Sequence, residues 1–279
     1  MNKNIRICIA LLLLELALFS YGVFFYPHEP NVISGYSLEA PSQTHWMGTD
    51  NLGVDIFAQV SLGYFNSISV ALVTVTVTLL LGGILGILSG YYQGWIDDII
   101  SFVINVFLSV PQLPVMIVLG AFLGQSVWNI VLIVAMFSWA KIAKVVRAKI
   151  LSIRRKDYIT QSRLFGGNFR HVFHYHLKTD IMPLLLINSV GVIGRAIIQE
   201  SSLAYLGLCD PTSRSWGLMI SKVLDFPNIY YTRYWKWWLV APLLSLLFTI
   251  LMFRSFVREL EKYWLDEGSQ VKNGGANNV

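Results

Sequence analysis

Residues 141–183 read KIAKVVRAKILSIRRKDYITQSRLFGGNFRHVFHYHLKTDIMP, and ten of the chain's 21 Lys and Arg residues fall within them. Runs of apolar sequence long enough to cross a bilayer flank the stretch on both sides. A basic loop between two spans belongs on the cytoplasmic side. At about forty residues it is too long to be a simple connector. The sequence therefore predicts a cytoplasmic docking surface on an all-α integral membrane protein.

Composition agrees. Of 279 residues, 55% are apolar and 13% charged, whereas a soluble domain carries about 25% charged residues. The net charge of +5 sits beside membrane spans, so it reads as topology and membrane-lipid contact rather than as a nucleic-acid surface. Cys8 and Cys209 lie far apart with no other cysteine, which supports neither a disulfide framework nor a cysteine metal site. Lys3 and Arg6 precede an apolar run at 7–25 that is longer than a signal-peptide core and lacks a cleavage site. It is expected to stay as a first span.

About 20 apolar residues cross the hydrocarbon core, and six stretches qualify: 7–25, 68–91, 99–123, 128–146, 181–206 and 237–256. An even count puts both termini on one side. Residues 26–65 contain no Lys or Arg, while basic residues precede the first span and follow the last, so both termini are expected in the cytoplasm. Arg214, Lys222, Arg233 and Lys236 oppose that assignment and are outweighed by the ten charges of the basic loop. The chain divides into an N-terminal span with an extracytoplasmic segment (1–65), a transmembrane core (66–260) with its loop at about 147–180, and a cytoplasmic tail (261–279). The Asn- and Gly-rich end from 268 reads as disordered. Gly82, Gly86 and Gly90 recur every four residues, a pattern for close helix packing. Pro111 and Pro114 should kink the third span. Trp235, Trp237 and Trp238 with Tyr230, Tyr231 and Tyr234 mark a membrane–water interface.

Within the basic loop, Asp157-Tyr-Ile-Thr-Gln-Ser-Arg-Leu-Phe-Gly166 followed by Ile181-Met-Pro183 resembles the cytoplasmic EAA loop of ABC importer permeases, with Thr160-Gln161-Ser162 in place of Glu-Ala-Ala. Two other segments, His45-Trp-Met-Gly-Thr-Asp-Asn-Leu-Gly-Val-Asp-Ile-Phe57 and Glu200-Ser-Ser-Leu-Ala-Tyr-Leu-Gly-Leu208, resemble signatures of the second permease subunit of dipeptide, oligopeptide and nickel importers. Val54 and Cys209 stand where that family usually has Arg and Gly. The resemblance implies a type I importer permease fold in a prokaryotic cell membrane. It also implies a heterodimer with a homologous permease, two ATPase subunits and an extracytoplasmic solute-binding protein. The implied solute is nickel or a metal chelate, with dipeptides or oligopeptides as the alternative. An ion-gradient-driven carrier is a more distant reading; it would usually show paired inverted repeats with broken helices, which six spans with one docking loop fit poorly.

No G-x-x-x-x-G-K-[ST] segment occurs, so no loop cradles ATP phosphates. No catalytic residue and no directly bound cofactor are expected, and ATP is used by the partner subunits. Under the resemblance, Arg163, Phe165, Gly166 and Arg170 are the candidates for ATPase contact. Ionisable residues inside a bilayer are costly and often functional, which singles out Glu15, Arg195 and Glu200. Asn188, Arg195 and Glu200 are the candidate translocation residues, although Glu200 also suits fixing the external end of its span. On an α-helix His171 and His174 would share a face and His176 would point away; no metal site is assigned to them. Asp50 and Asp55 flank Gly53 and read as turn and cap residues.

Overall fold

Apolar sequence with few helix breakers gives long helices, and five are long and apolar enough to cross a membrane: Lys3–Phe24, Ile56–Tyr92, Val127–Arg154, Phe169–Tyr205 and Trp235–Trp264. In this computed structural model residues 3–276 are described, and the side chains of Arg163 and of residues 265–276 lie outside the described part. We number the helices α1 (Lys3–Phe24), α2 (Ile56–Tyr92), α3 (Trp95–Ser109), α4 (Gln112–Leu123), α5 (Val127–Arg154), α6 (Asp157–Leu164), α7 (Phe169–Val172), α8 (Lys178–Tyr205), α9 (Trp216–Leu224), α10 (Trp235–Trp238) and α11 (Val240–Ala276). Among the described residues there is no strand, only two isolated bridges.

Helices α3 and α4 pass the same test only as a pair and make a sixth candidate crossing, bent by 90°. Val110 precedes a proline and is extended, with ψ 133°, because the proline ring crowds a helical residue before it. Pro111 then starts α4 with φ −64°. Pro114 lies in the first turn of α4, where a backbone donor has no helical partner to lose. The expected kink is thus at Pro111, and Pro114 helps restart the helix instead of interrupting it.

Helices α2 and α5 form the packed centre. A Cβ on Gly82 would stand 2.7 Å from the Trp139 carbonyl, one on Gly86 2.6 Å from that of Ala143, and one on Gly90 2.8 Å from Ile150 Cβ. The glycine stripe therefore brings the two backbones together, as its spacing predicts. At the same end, Arg147 holds Asp97 through Nε–Oδ1 at 2.6 Å and Nη2–Oδ2 at 2.8 Å, while Ser101 and Ser89 also donate to that carboxylate.

At the other end, residues 26–55 fold over the start of α2. Asp55 caps α2, accepting the Ala58 N–H at 3.0 Å, and Asp50 accepts from the backbone of Leu52 and Val54 and from Gln59 Nε2. Both carboxylates are structural, as turn and cap chemistry predicts. Gly53 sits at φ +80°, which favours a residue without Cβ. Arg214 donates to Asn31 Oδ1 at 2.9 Å and Gln59 Oε1 at 3.2 Å. Burial and the nearby Arg214 lower the Lys222 ammonium pKa, with Asp50 opposing the shift. Two of the basic residues that oppose the charge rule are thus absorbed into this cap. Trp216 is fully buried and donates to the Val60 carbonyl at 3.0 Å. The aromatic cluster divides: Trp238 is buried, whereas Tyr230 and Tyr231 are exposed. Helix α11 continues to Ala276, into the segment that reads as disordered; residues 277–279 lie outside the described residues.

Candidate functional site

The basic loop folds as a hairpin of two short helices. Helix α6 is amphipathic in miniature: Ile159 is buried, while Leu164 is 80% and Phe165 91% exposed at its end. Gly166 has φ +83°, and a Cβ there would meet nothing within 4 Å. Conformation, not space, calls for glycine at this point. The Gly167 N–H donates to the Ser162 carbonyl at 2.8 Å, and Asn168 opens α7 by accepting the His171 N–H at 3.0 Å. Tyr158, Ser162, Phe165, Gly166, Asn168 and His176 are among the residues around a cleft of about 650 Å³.

This hairpin is fastened to the bundle. Val172 and Leu177 join Ile150 and Ile153 in one apolar cluster, the Phe169 ring lies 4.7 Å from Tyr91, and Lys149 approaches Asp180 at 3.5 Å. Of the four residues singled out for partner contact, Phe165, Gly166 and Arg170 are exposed; the Arg163 side chain lies outside the described residues.

Residues Phe173–Leu177 form a π-helical turn that joins α7 to α8. With five-residue periodicity, His171 and His176 face each other with ring centroids 6.3 Å apart, and His176 lies 5.4 Å from Tyr158. The sequence expectation paired His171 with His174; the wider turn reverses that choice. Pro183 lies inside α8 rather than at its start.

Helix α8 carries Asn188, Arg195 and Glu200. Asn188 Nδ2 donates to its own helix at Leu184 O, 2.8 Å away. Arg195 is half-buried, and among the described residues it makes no hydrogen bond or ion pair. One turn further, Gln199 donates to Gln112 Oε1 at 3.3 Å, and Gln112 in turn to the Phe137 carbonyl at 3.4 Å. Asn188, Arg195 and Gln199 share a helix face by their spacing, and that face meets the bend of the broken span. Gln112 and Gln199 escaped the sequence reading, which searched the spans for charge; glutamine inside an apolar run is the signal that finds them.

Glu200 points elsewhere. It is 2% exposed and accepts from Ser67 at 3.0 Å and Ser201 at 3.2 Å, linking α2 to α8. It borders a cavity of about 280 Å³ with Asn66, Ser69, Ser213 and Ser215. Glu15 is also buried and accepts from Thr249, joining α1 to α11. Cys8 and Cys209 are both buried and free.

Residues 82–263 match the model of the family described as "Binding-protein-dependent transport system inner membrane component". The chain is 31% identical to the probable D,D-dipeptide transport system permease protein DdpC of Escherichia coli over 253 residues, 88% of this chain and 82% of that protein. It is 32% identical to the dipeptide transport system permease protein DppC of Alkalihalophilus pseudofirmus, with 77% and 70% covered. It is also 32% identical to the glutathione transport system permease protein GsiD of Pectobacterium atrosepticum, with 75% and 71% covered. The matched region takes in the packed α2–α5 pair from Gly82, the broken crossing, the hairpin and α8. The chain belongs to the binding-protein-dependent transport system inner membrane components, as a permease subunit of an ABC importer that is not itself an enzyme.

Proposed function

We propose that this subunit forms half of a peptide-translocating permease, paired with a homologous subunit and driven by two ATPases that dock on the 157–172 hairpin. The observation that carries the docking is the tip of α6. Two large apolar side chains, Leu164 and Phe165, stand in the open beside a cleft at the basic end. An exposed apolar knob rimmed by polar groups suits a protein partner. Because the hairpin runs through the π turn directly into α8, displacement of one moves the other. The basic end is cytoplasmic in this reading, as are both termini, and a solute-binding protein delivers cargo to the cap at the opposite end.

For the solute, the relatives named above carry D,D-dipeptides, dipeptides and glutathione in their names. They favour the peptide alternative over nickel. Arg195, without an anionic partner among the described residues, supplies a cation suited to a peptide carboxylate, and Asn188 and Gln199 extend the same face. Glu200, held by serines, is better suited to bracing α2 against α8 than to touching cargo.

The test is the ATPase rate of the complete complex in nanodiscs, with binding protein loaded with a dipeptide, glutathione or nickel. Stimulation by a peptide, lost with Phe165→Asp, is expected. Stimulation by nickel alone would restore the metal reading. A Phe165→Asp complex that retained its ATPases and full stimulation would sink the docking assignment.

A further inference from the structure

Where the 26–55 cap meets α9 there is a cavity of about 350 Å³, at the lower end of the range for small-molecule sites. Arg214, Lys222, Asp50 and Asp225 border it, and Met219 and Trp238 give it an apolar wall. Arg214 is held by neutral acceptors alone, Nε donating to Asn31 Oδ1 at 2.9 Å and Nη1 to Gln59 Oε1 at 3.2 Å. Its charge is positioned without being neutralised, and Nη2 makes no hydrogen bond among the described residues. Lys222 makes neither a hydrogen bond nor an ion pair among the described residues. The two cations are close enough for Arg214 to help lower the Lys222 ammonium pKa.

The buried acid nearby is committed elsewhere. Asp50 Oδ1 accepts the Leu52 and Val54 N–H groups at 2.8 and 3.0 Å, and Oδ2 accepts Gln59 Nε2 at 2.8 Å. Gln59 thus stands between the two charges, donating to Asp50 and accepting from Arg214, so that no direct ion pair cancels the guanidinium. Like charges held together oppose one another, and an anion that meets both relieves the repulsion. A carboxylate is the anion that matches a guanidinium fork. Asp225, the exposed residue that ends α9, makes no ion pair among the described residues. It leaves an acceptor on the same cavity for a positive group.

We propose that this cavity binds an amino acid or short peptide by its free ends, with Arg214 and Lys222 on the carboxylate, Asp225 on the ammonium, and Met219 and Trp238 against an apolar side chain. The choice of a peptide rests on the function proposed above; the carboxylate chemistry rests on the cavity. The site is separate from the α8 polar face and gives cargo a first hold on this subunit.

The test is pulsed acylation of lysines in the complete complex in nanodiscs, without binding protein or nucleotide, read residue by residue by mass spectrometry. Lys222 is exposed and its pKa is lowered, so it should react readily. Saturating alanylphenylalanine should slow its labelling at least threefold and leave Lys236, which is exposed and not among the cavity residues, unchanged. The C-terminal amide of that dipeptide should not protect, and its N-acetyl form should protect less. Arg214→Gln should remove the protection, but Arg214 also holds Asn31 and Gln59, so the decision rests on wild type. Protection that survives amidation overturns the proposal, as does protection conferred only by the empty solute-binding protein, which would give the cavity to that partner. Absence of protection in a complex whose ATPase responds to peptide-loaded binding protein overturns the site and leaves the proposed function standing. Protection in a complex whose ATPase ignores peptide keeps the site and sinks the peptide-importer reading.

Discussion

Arg147 grips Asp97 with two parallel hydrogen bonds of 2.6 and 2.8 Å, one helix reaching across to the first limb of the broken crossing. The fork geometry is specific to guanidinium, since an ammonium offers no second in-plane donor. Arg147→Lys should cost about 2 kcal/mol, the range for a charge-assisted bond, reduced toward 1 by partial exposure. Thermal unfolding of the detergent-solubilised subunit checks it. A double-mutant cycle with Asp97→Asn should return a coupling energy of the same size; additive losses would mean that the pair is ornamental.

Gly86 and Gly83 are neighbours with opposite tolerance. A Cβ on Gly86 would be 2.6 Å from a backbone oxygen, whereas one on Gly83 would meet only Leu185 at 3.8 Å. Gly86→Ala should destabilise by about 1–3 kcal/mol through overpacking, lowering the yield of monodisperse protein. Gly83→Ala should be silent or slightly stabilising, because glycine is the poorer helix former. Equal behaviour of the two would contradict the close approach of α2 to α5.

At Gly166 the left-handed φ with open space around it separates conformation from sterics. Asn tolerates that region and a β-branched residue does not. Gly166→Asn should therefore keep ATPase stimulation near wild type, and Gly166→Val should lose most of it while the membrane bundle still folds. Circular dichroism and the stimulated ATPase rate, measured on the same samples, distinguish the two effects.

Glu200 offers a test of bracing against solute contact. Glu200→Gln retains an acceptor for Ser67 and Ser201, so stability and peptide uptake should both stay within about twofold. Glu200→Leu leaves the Ser67 hydroxyl without its partner in a buried site, at about 1–3 kcal/mol. Uptake that collapsed in the Gln variant at unchanged stability would return Glu200 to the pathway.

Much of this arrangement was legible in the sequence, because bilayer physics leaves few options. Hydropathy located the candidate crossings, the four-residue glycine repeat announced a close helix contact without naming α5 as the partner, and Gly166 marked the turn of the hairpin. Single residues also gave the place of the bend, though not its 90° size, which depends on how Gln112 and its neighbours pack against α5 and α8. The π turn was hidden, since no residue at 173–177 demands it, and with it the facing of His171 and His176. Arg214 and Lys222 weigh against the charge rule in the sequence, and the groups that surround them in the cap, Asn31, Gln59 and Asp50, are remote in the chain. His28 and His45 are individually unremarkable; only the folding of the cap stacks their rings.

The tight fit of Gly82, Gly86 and Gly90 against α5 has one more consequence. A pair of helices drawn together until backbone touches backbone leaves no bore between them, and among the described residues the polar face of Asn188, Arg195 and Gln199 belongs to the neighbouring α8 instead. Under the proposed function, this places the passage on the flank of the subunit, as a seam shared with a second chain rather than a bore through this one.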